Sequence, residues 1–234
     1  MRHLDRALRT RRRRKVMAVL SAGTAVGLTT VVTLAAWNDN EWVFGGAGPD
    51  EPGVGTSTFE VVQDAWDNTP PTVGSDTFGN FEDPPGNMLL FTVTPLAMTP
   101  GDTIYAPVAL TTTDESIAGT VQLQKPVRSA DAASDAGLWA NLTYSVRVTG
   151  DAGEAANCRT AFTSSGTLVP DGPTSKVEGL RFDDDIEATP QSLAAARGNV
   201  QYYCFAITLP DNETTQGLQG RTVYPAWQFA AVSE

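Results

Sequence analysis

From residue 58 onward the chain is a succession of short β-like runs cut apart by turn formers, and this pattern restricts it to an antiparallel β architecture. The runs are residues 58–62, 88–94, 103–110, 120–124, 138–148, 166–169, 200–209 and 222–231. Leu142, Tyr144, Val146 and Val148 alternate with Thr143, Ser145, Arg147 and Thr149, the period-2 signature of a strand with one wet face. The run 202–209 carries apolar groups on both faces, so it is expected in the middle of a sheet. Only one segment reads as helix: Thr189 can cap it, Pro190 suits its first position, 193–197 has good propensity, and Gly198 can end it. Eight short strands with one short helical connection predict an all-β fold, a two-sheet antiparallel sandwich of jelly-roll type.

The expected organisation is a leader at 1–36, a flexible Gly-, Asp-, Glu- and Pro-rich lead-in at 37–57, and the sandwich at 58–234. Stretches 68–86 and 151–157 read as surface loops. The 234 residues, 41% of them hydrophobic, suffice for one sizeable core.

Charge divides the chain at the same place. Residues 1–36 hold eight of the 16 Lys and Arg against Asp5 alone, a net +7, and the other 198 residues hold eight basic and 26 acidic side chains, a net −18. So acidic a body lacks the cations to displace phosphate counterions, which argues against nucleic acid as a partner. His3, in the leader, is the only histidine. Ser-His-Asp and Cys-His catalysis and the common zinc sites therefore cannot be assembled in the body, and no enzyme is expected.

The leader has the three parts of an export signal. Residues 11–15 are an unbroken positive run, 16–36 are apolar apart from Ser, Thr and Gly, and Ala35 and Ala36 precede Trp37 where a peptidase cuts. Cleavage between Ala36 and Trp37 is expected, by the Sec route. The alternative is an uncleaved anchor, since about 20 apolar residues can span a bilayer and the positive cluster would hold the N-terminus inside. On that reading the chain meets the membrane only through this segment.

Cys158 and Cys204 are the only cysteines, and an even count in an exported chain points to one disulfide. Closing a loop of about 46 residues would stabilise by roughly 4 kcal/mol in the chain-entropy model. Two buried free thiols packing as small apolar groups are the alternative. Asp183, Asp184, Asp185 and Glu187, with Asp171 upstream, form the densest carboxylate cluster and the one weak calcium candidate; a solvated acidic loop is the competing reading, because the spacing and central Gly of an EF-hand are missing. No other cofactor is expected. A carboxylate pair for glycoside hydrolysis has no motif to fix it. Asn141-Leu142-Thr143 and Asn212-Glu213-Thr214 match a glycosylation sequon that a Thr-rich chain generates by chance.

Three motifs carry a family resemblance. Thr33-Leu34-Ala35-Ala36-Trp37-Asn38-Asp39 resembles the boundary of SipW-dependent signal peptides, where a small residue is followed by an aromatic and then Asn or Ser and Asp. Residues 90–95 followed by Thr99-Pro100-Gly101-Asp102-Thr103 resemble the Pro-Gly-Asp turn of the TasA and camelysin group of secreted bacterial proteins. The block 201–210 with Asn212, the Gly-bounded 216–220 and Trp227-Gln228-Phe229-Ala230-Ala231 is similar to the end of the same group. Lead-in residues 45–55 and the loop 68–85 do not fit it.

The resemblance implies a jelly-roll sandwich, released by a dedicated SipW-type signal peptidase, secreted and retained at the cell surface, with TasA-like members assembling into biofilm-matrix fibres. Trp37, Trp42, Val43 and Phe44 on their Gly-rich tether suit strand donation to a neighbouring copy, giving a homopolymer; equally, Trp42 and Phe44 can pack on their own domain. A monomeric extracellular binding module or adhesin is the alternative. The metalloprotease activity described for camelysin-like members does not transfer to a body without histidine.

Overall fold

The computed structural model describes residues 46–48, 51–52 and 56–234, apart from 67–68, 85, 92–94, 129–133, 163–166, 170–178 and 187. The chain divides into two units, Met1–Gly55 and Thr56–Glu234. The described part of the first is a short antiparallel pair, β1 (Gly46–Gly48) with β2 (Glu51–Pro52), in the stretch expected to be an unstructured lead-in.

The second unit is an antiparallel β-sandwich. In chain order its elements are β3 (Val61–Asp64), β4 (Thr103–Thr112), β5 (Gly119–Leu123), β6 (Val127–Arg128), α1 (Ala136–Asn141), β7 (Thr143–Thr149), α2 (Ala152–Ala155), α3 (Cys158–Ala161), β8 (Thr167–Val169), β9 (Leu180–Arg181), β10 (Gln191–Leu193), β11 (Gln201–Thr208), α4 (Glu213–Gln216), β12 (Pro225–Ala226) and β13 (Phe229–Ser233). The larger sheet runs β3-β4-β11-β7-β8, with β9 also paired to β7; the smaller runs β10-β5-β13, and β12 pairs with β6 alongside it.

Strand β11 is central, as its two apolar faces require. It is in register with β4 from Gln201↔Leu110 to Thr208↔Thr103 and with β7 from Tyr202↔Thr149 to Thr208↔Thr143. Tyr203, Phe205 and Ile207 enter the core between the sheets, beside Tyr144, Val146 and Val148 of β7, Ile104, Val108 and Leu110 of β4, and Val121 and Leu123 of β5. Val223, Trp227 and Phe229, partly buried, pack against this core, although the run 222–231 is not one strand: only Pro225–Ala226 and Phe229–Ser233 are strand, with 227–228 between them. On the opposite face of β11, Cys204 packs with Cys158 and Ala161 of α3, and Tyr202 packs with Trp66 and Ala155.

Four sequence expectations are corrected. Residues 189–198 are not helical: 191–193 form β10, paired with Thr120 and its neighbours in β5, and 195–198 form a turn. Residues 138–141 belong to α1, because Asp135 caps that turn through the Leu138 N–H at 2.8 Å. The presumed loop 151–157 holds α2, capped by Asp151 on the Glu154 N–H at 3.0 Å. Residues 88–91 form no strand.

Candidate functional site

Cys158 and Cys204 form the disulfide, with Cα atoms 5.2 Å apart. It joins the start of α3 to the middle of β11, and both residues are buried. Arg147, opposite Cys204 in the register, lies with its guanidinium 5.6 Å from the centre of the Phe162 ring on the same face. The bridge thus fastens the outer covering of the larger sheet to its central strand.

The carboxylates of 183–185 diverge onto separate partners. Asp183 Oδ1 accepts from Trp139 Nε1 at 2.7 Å, Asp184 Oδ2 accepts from the Arg181 N–H at 2.8 Å, and Asp185 Oδ1 pairs with Lys125 Nζ at 3.1 Å. Lys125 Nζ also donates to the Asp183 carbonyl at 2.6 Å. Together these bonds close a turn that holds Phe182, fully buried, against Trp139 and Tyr144. Among the described residues no three His, Cys, Asp or Glu side chains converge. Glu187 and Asp171 lie outside the described residues, as do Ala36, Trp37, Trp42, Val43 and Phe44.

The sequon asparagines have local structural partners: Asn141 Nδ2 donates to the Gly137 carbonyl at 2.8 Å, and Asn212 caps α4, accepting from the Thr215 N–H at 3.1 Å. The Pro-Gly-Asp turn is present. Gly101 sits at φ +96°, the Asp102 N–H donates to the Thr99 carbonyl at 2.9 Å, and Asp102 Oδ2 accepts from the Thr99 N–H and hydroxyl at 2.7 and 2.8 Å. These bonds, led by the Thr99 N–H, hold the Asp102 carboxyl below the usual carboxylate range.

Sheet edges are the remaining surface with chemical potential, since each carries unpaired N–H and C=O groups. Three are closed. Gln63 of β3 exchanges both backbone bonds with Gly79 at 2.9 Å. Beyond the end of β3, the outward side of β4 carries Pro107, which has no N–H to offer. At β10 the Asn199 side chain acts as a surrogate strand: its Nδ2 donates to the Ser192 carbonyl at 3.0 Å and its Oδ1 accepts from the Ala194 N–H at 2.7 Å, while Gln201 Nε2 adds a bond to Ser192 at 3.1 Å.

Strand β13 differs. The bonds from Gln124 N–H to the Gln228 carbonyl and from Glu234 N–H to the Ala118 carbonyl fix the parity of its ladder with β5. Residues 228, 230, 232 and 234 therefore face β5, and the backbone groups of Phe229, Ala231 and Ser233 point outward. No described residue bonds to them. Asn199, Gln201 and the open edge were invisible to sequence reasoning; the residues 229–233, without charge or proline, were the one available signal.

No protein-family model matches the chain, and no curated protein matches it.

Proposed function

We propose that the chain is an exported, cell-surface structural protein of TasA/camelysin-like character, a sandwich that works outside the cell by packing and pairing rather than by turnover. The observation that carries the reading is the Cys158–Cys204 disulfide across the outer face of the larger sheet. Such a bond persists in oxidising compartments, in keeping with a leader of net +7 followed by an apolar stretch. The 198 residues beyond position 36 have no imidazole and a net charge of −18, a composition suited to staying soluble among anionic surfaces and unsuited to nucleic acid.

In this reading cleavage after Ala36 releases Trp37, Trp42, Val43 and Phe44, and this segment adds as a strand to a neighbouring copy, building fibres head to tail. Deleting residues 37–46 and imaging by electron microscopy tests the last step. Loss of filaments upholds strand donation, and unchanged filaments refute it.

A further inference from the structure

We propose that α3 is a redox latch. It docks on the central strand when Cys158 is bonded to Cys204, and in the reduced chain it lifts while α2 and the sandwich stay in place. The inference rests on the disulfide and its surroundings, not on the route of export or on strand donation. It starts from the contrast between two neighbouring single-turn helices, neither long enough to hold itself in water. Asp151 caps α2 on the Glu154 N–H at 3.0 Å, and the Glu154 carboxylate accepts from the Thr149 hydroxyl at the end of β7 at 2.7 Å. Its Ala155 is buried beside Trp66 and Tyr202. Asn157, at the head of α3, makes no side-chain cap bond, and the Thr160 and Ala161 N–H groups close back on the Asn157 carbonyl at 2.8 and 3.3 Å. The side chains α3 buries are small, Cys158 and Ala161, followed by the partly buried Phe162 against Tyr105 and under Arg147. Burying so little apolar surface returns less than ordering seven residues costs, so the covalent bond decides whether α3 is docked.

The strand beneath does not depend on the bond. β11 is paired along its length with β4 on one side and β7 on the other, and Tyr203, Phe205 and Ile207 of its inner face stay in the core between the sheets. Lifting α3 therefore uncovers an apolar strip on the outer face, Cys204 beside Pro107 and Ala206 beside Tyr105, without breaking a ladder. Closure is a thiol–disulfide exchange with an external disulfide, small-molecule or protein. The thiolate of one cysteine attacks that disulfide and expels one thiolate; the other cysteine, as thiolate, attacks the mixed disulfide and expels the second. Two protein thiols are oxidised, one external disulfide is reduced to two thiols, and the two protons pass to the departing sulfurs. Both cysteines are buried in the closed form, so the latch shields its own bond once shut.

Arg159, exposed in the middle of α3, supplies the reporter, because trypsin cuts a helical site only when it opens locally. Limited trypsinolysis of the full chain in mild detergent is followed by mass spectrometry for the oxidised parent, the reduced parent and a Cys158→Ala/Cys204→Ala variant that keeps small apolar groups at both positions. Cleavage after Arg159 is expected about tenfold or more faster in both bond-free forms. Cleavage after Arg147, within β7, should stay as slow as in the oxidised parent, and hydrogen exchange should remain slow in β4, β7 and β11. Adding glutathione disulfide to the reduced chain, with no denaturant, should restore resistance at Arg159. Equal cleavage after Arg159 with and without the bond overturns the proposal. So does susceptibility at Arg147 and Arg159 appearing together, which would make the bond a staple of the whole fold, and so does a reduced chain that recloses only after unfolding.

Discussion

Ala196 and Arg197 have φ of 51° and 55°, the left-handed region that costs an L-residue roughly 1–2 kcal/mol. Neighbours hold them there. The Gly198 N–H donates to the Ala195 carbonyl at 3.0 Å, the Ala196 N–H to the Ser116 carbonyl at 3.0 Å, and the Arg197 N–H to the Thr112 hydroxyl at 3.0 Å. The Thr112 hydroxyl in turn donates to the Ala194 carbonyl at 2.6 Å. This network explains why a segment with helical propensity becomes strand and turn: its backbone donors are taken by β4 and the β4–β5 connection, 80 to 85 residues away in sequence, which no local pattern reveals. Ala196→Gly relieves one strained residue and is expected to raise stability by roughly 0.5–1 kcal/mol in urea unfolding, less the entropy that Gly adds to the unfolded chain. Deep in the core the Tyr203 hydroxyl has no hydrogen-bond partner among the described residues, so Tyr203→Phe is expected to be neutral or stabilising by up to about 1 kcal/mol in the same assay. A loss above about 2 kcal/mol would mean the hydroxyl is satisfied in solution.

At the scale of elements, strands that bury one face against a second sheet were legible and short helices were not. The alternation at 143–149 and the doubly apolar 201–208 reflect burial that each strand experiences along its whole length. By contrast, 138–140 is an apolar run that leads through Asn141 and Leu142 into β7, and only Asp135 three residues before Leu138 distinguishes helix from strand there. In the same way α2 is one turn whose identity rests on Asp151. The site was legible only in part: the cysteine pair came from counting, whereas the capping of β10 by Asn199 depends on a turn that the sequence does not announce. Asn212 forms a capping box with Thr215, whose hydroxyl also donates to the Pro210 carbonyl at 2.6 Å. Asn212→Ala should cost about 1 kcal/mol by thermal unfolding and loosen the connection between β11 and β12.

For the whole molecule, stability should be confined to a pH window with identifiable walls. Asp102 and Asp135 are held below the ordinary carboxylate range, each chiefly by a backbone N–H, from Thr99 and Leu138 respectively. Their contribution is present above the unfolded value of about 4 and is lost as pH falls through the lowered folded values. Burial raises Tyr144 and Tyr203 above the ordinary phenol value, so the native state keeps protons the unfolded chain releases. That contribution is present below about pH 10 and disappears as pH rises beyond it. Denaturant titrations from acid to alkali should show a plateau between these walls; stability undiminished above pH 10 would place the tyrosines in water.

The disulfide closes a 46-residue loop that holds α3, β8, β9, β10 and the first half of β11, so reduction should remove up to roughly 4 kcal/mol. It is also where fold and proposed function meet, because the bond that secures the sheet is the one on which the proposed extracellular placement rests. N-terminal sequencing and thiol alkylation of the protein recovered from producing cells test this account most directly. The expected result is an extracellular form that begins at Trp37 and takes up alkylating reagent only after reduction. A cytosolic chain retaining residues 1–36, with both Cys158 and Cys204 freely alkylated, would contradict it.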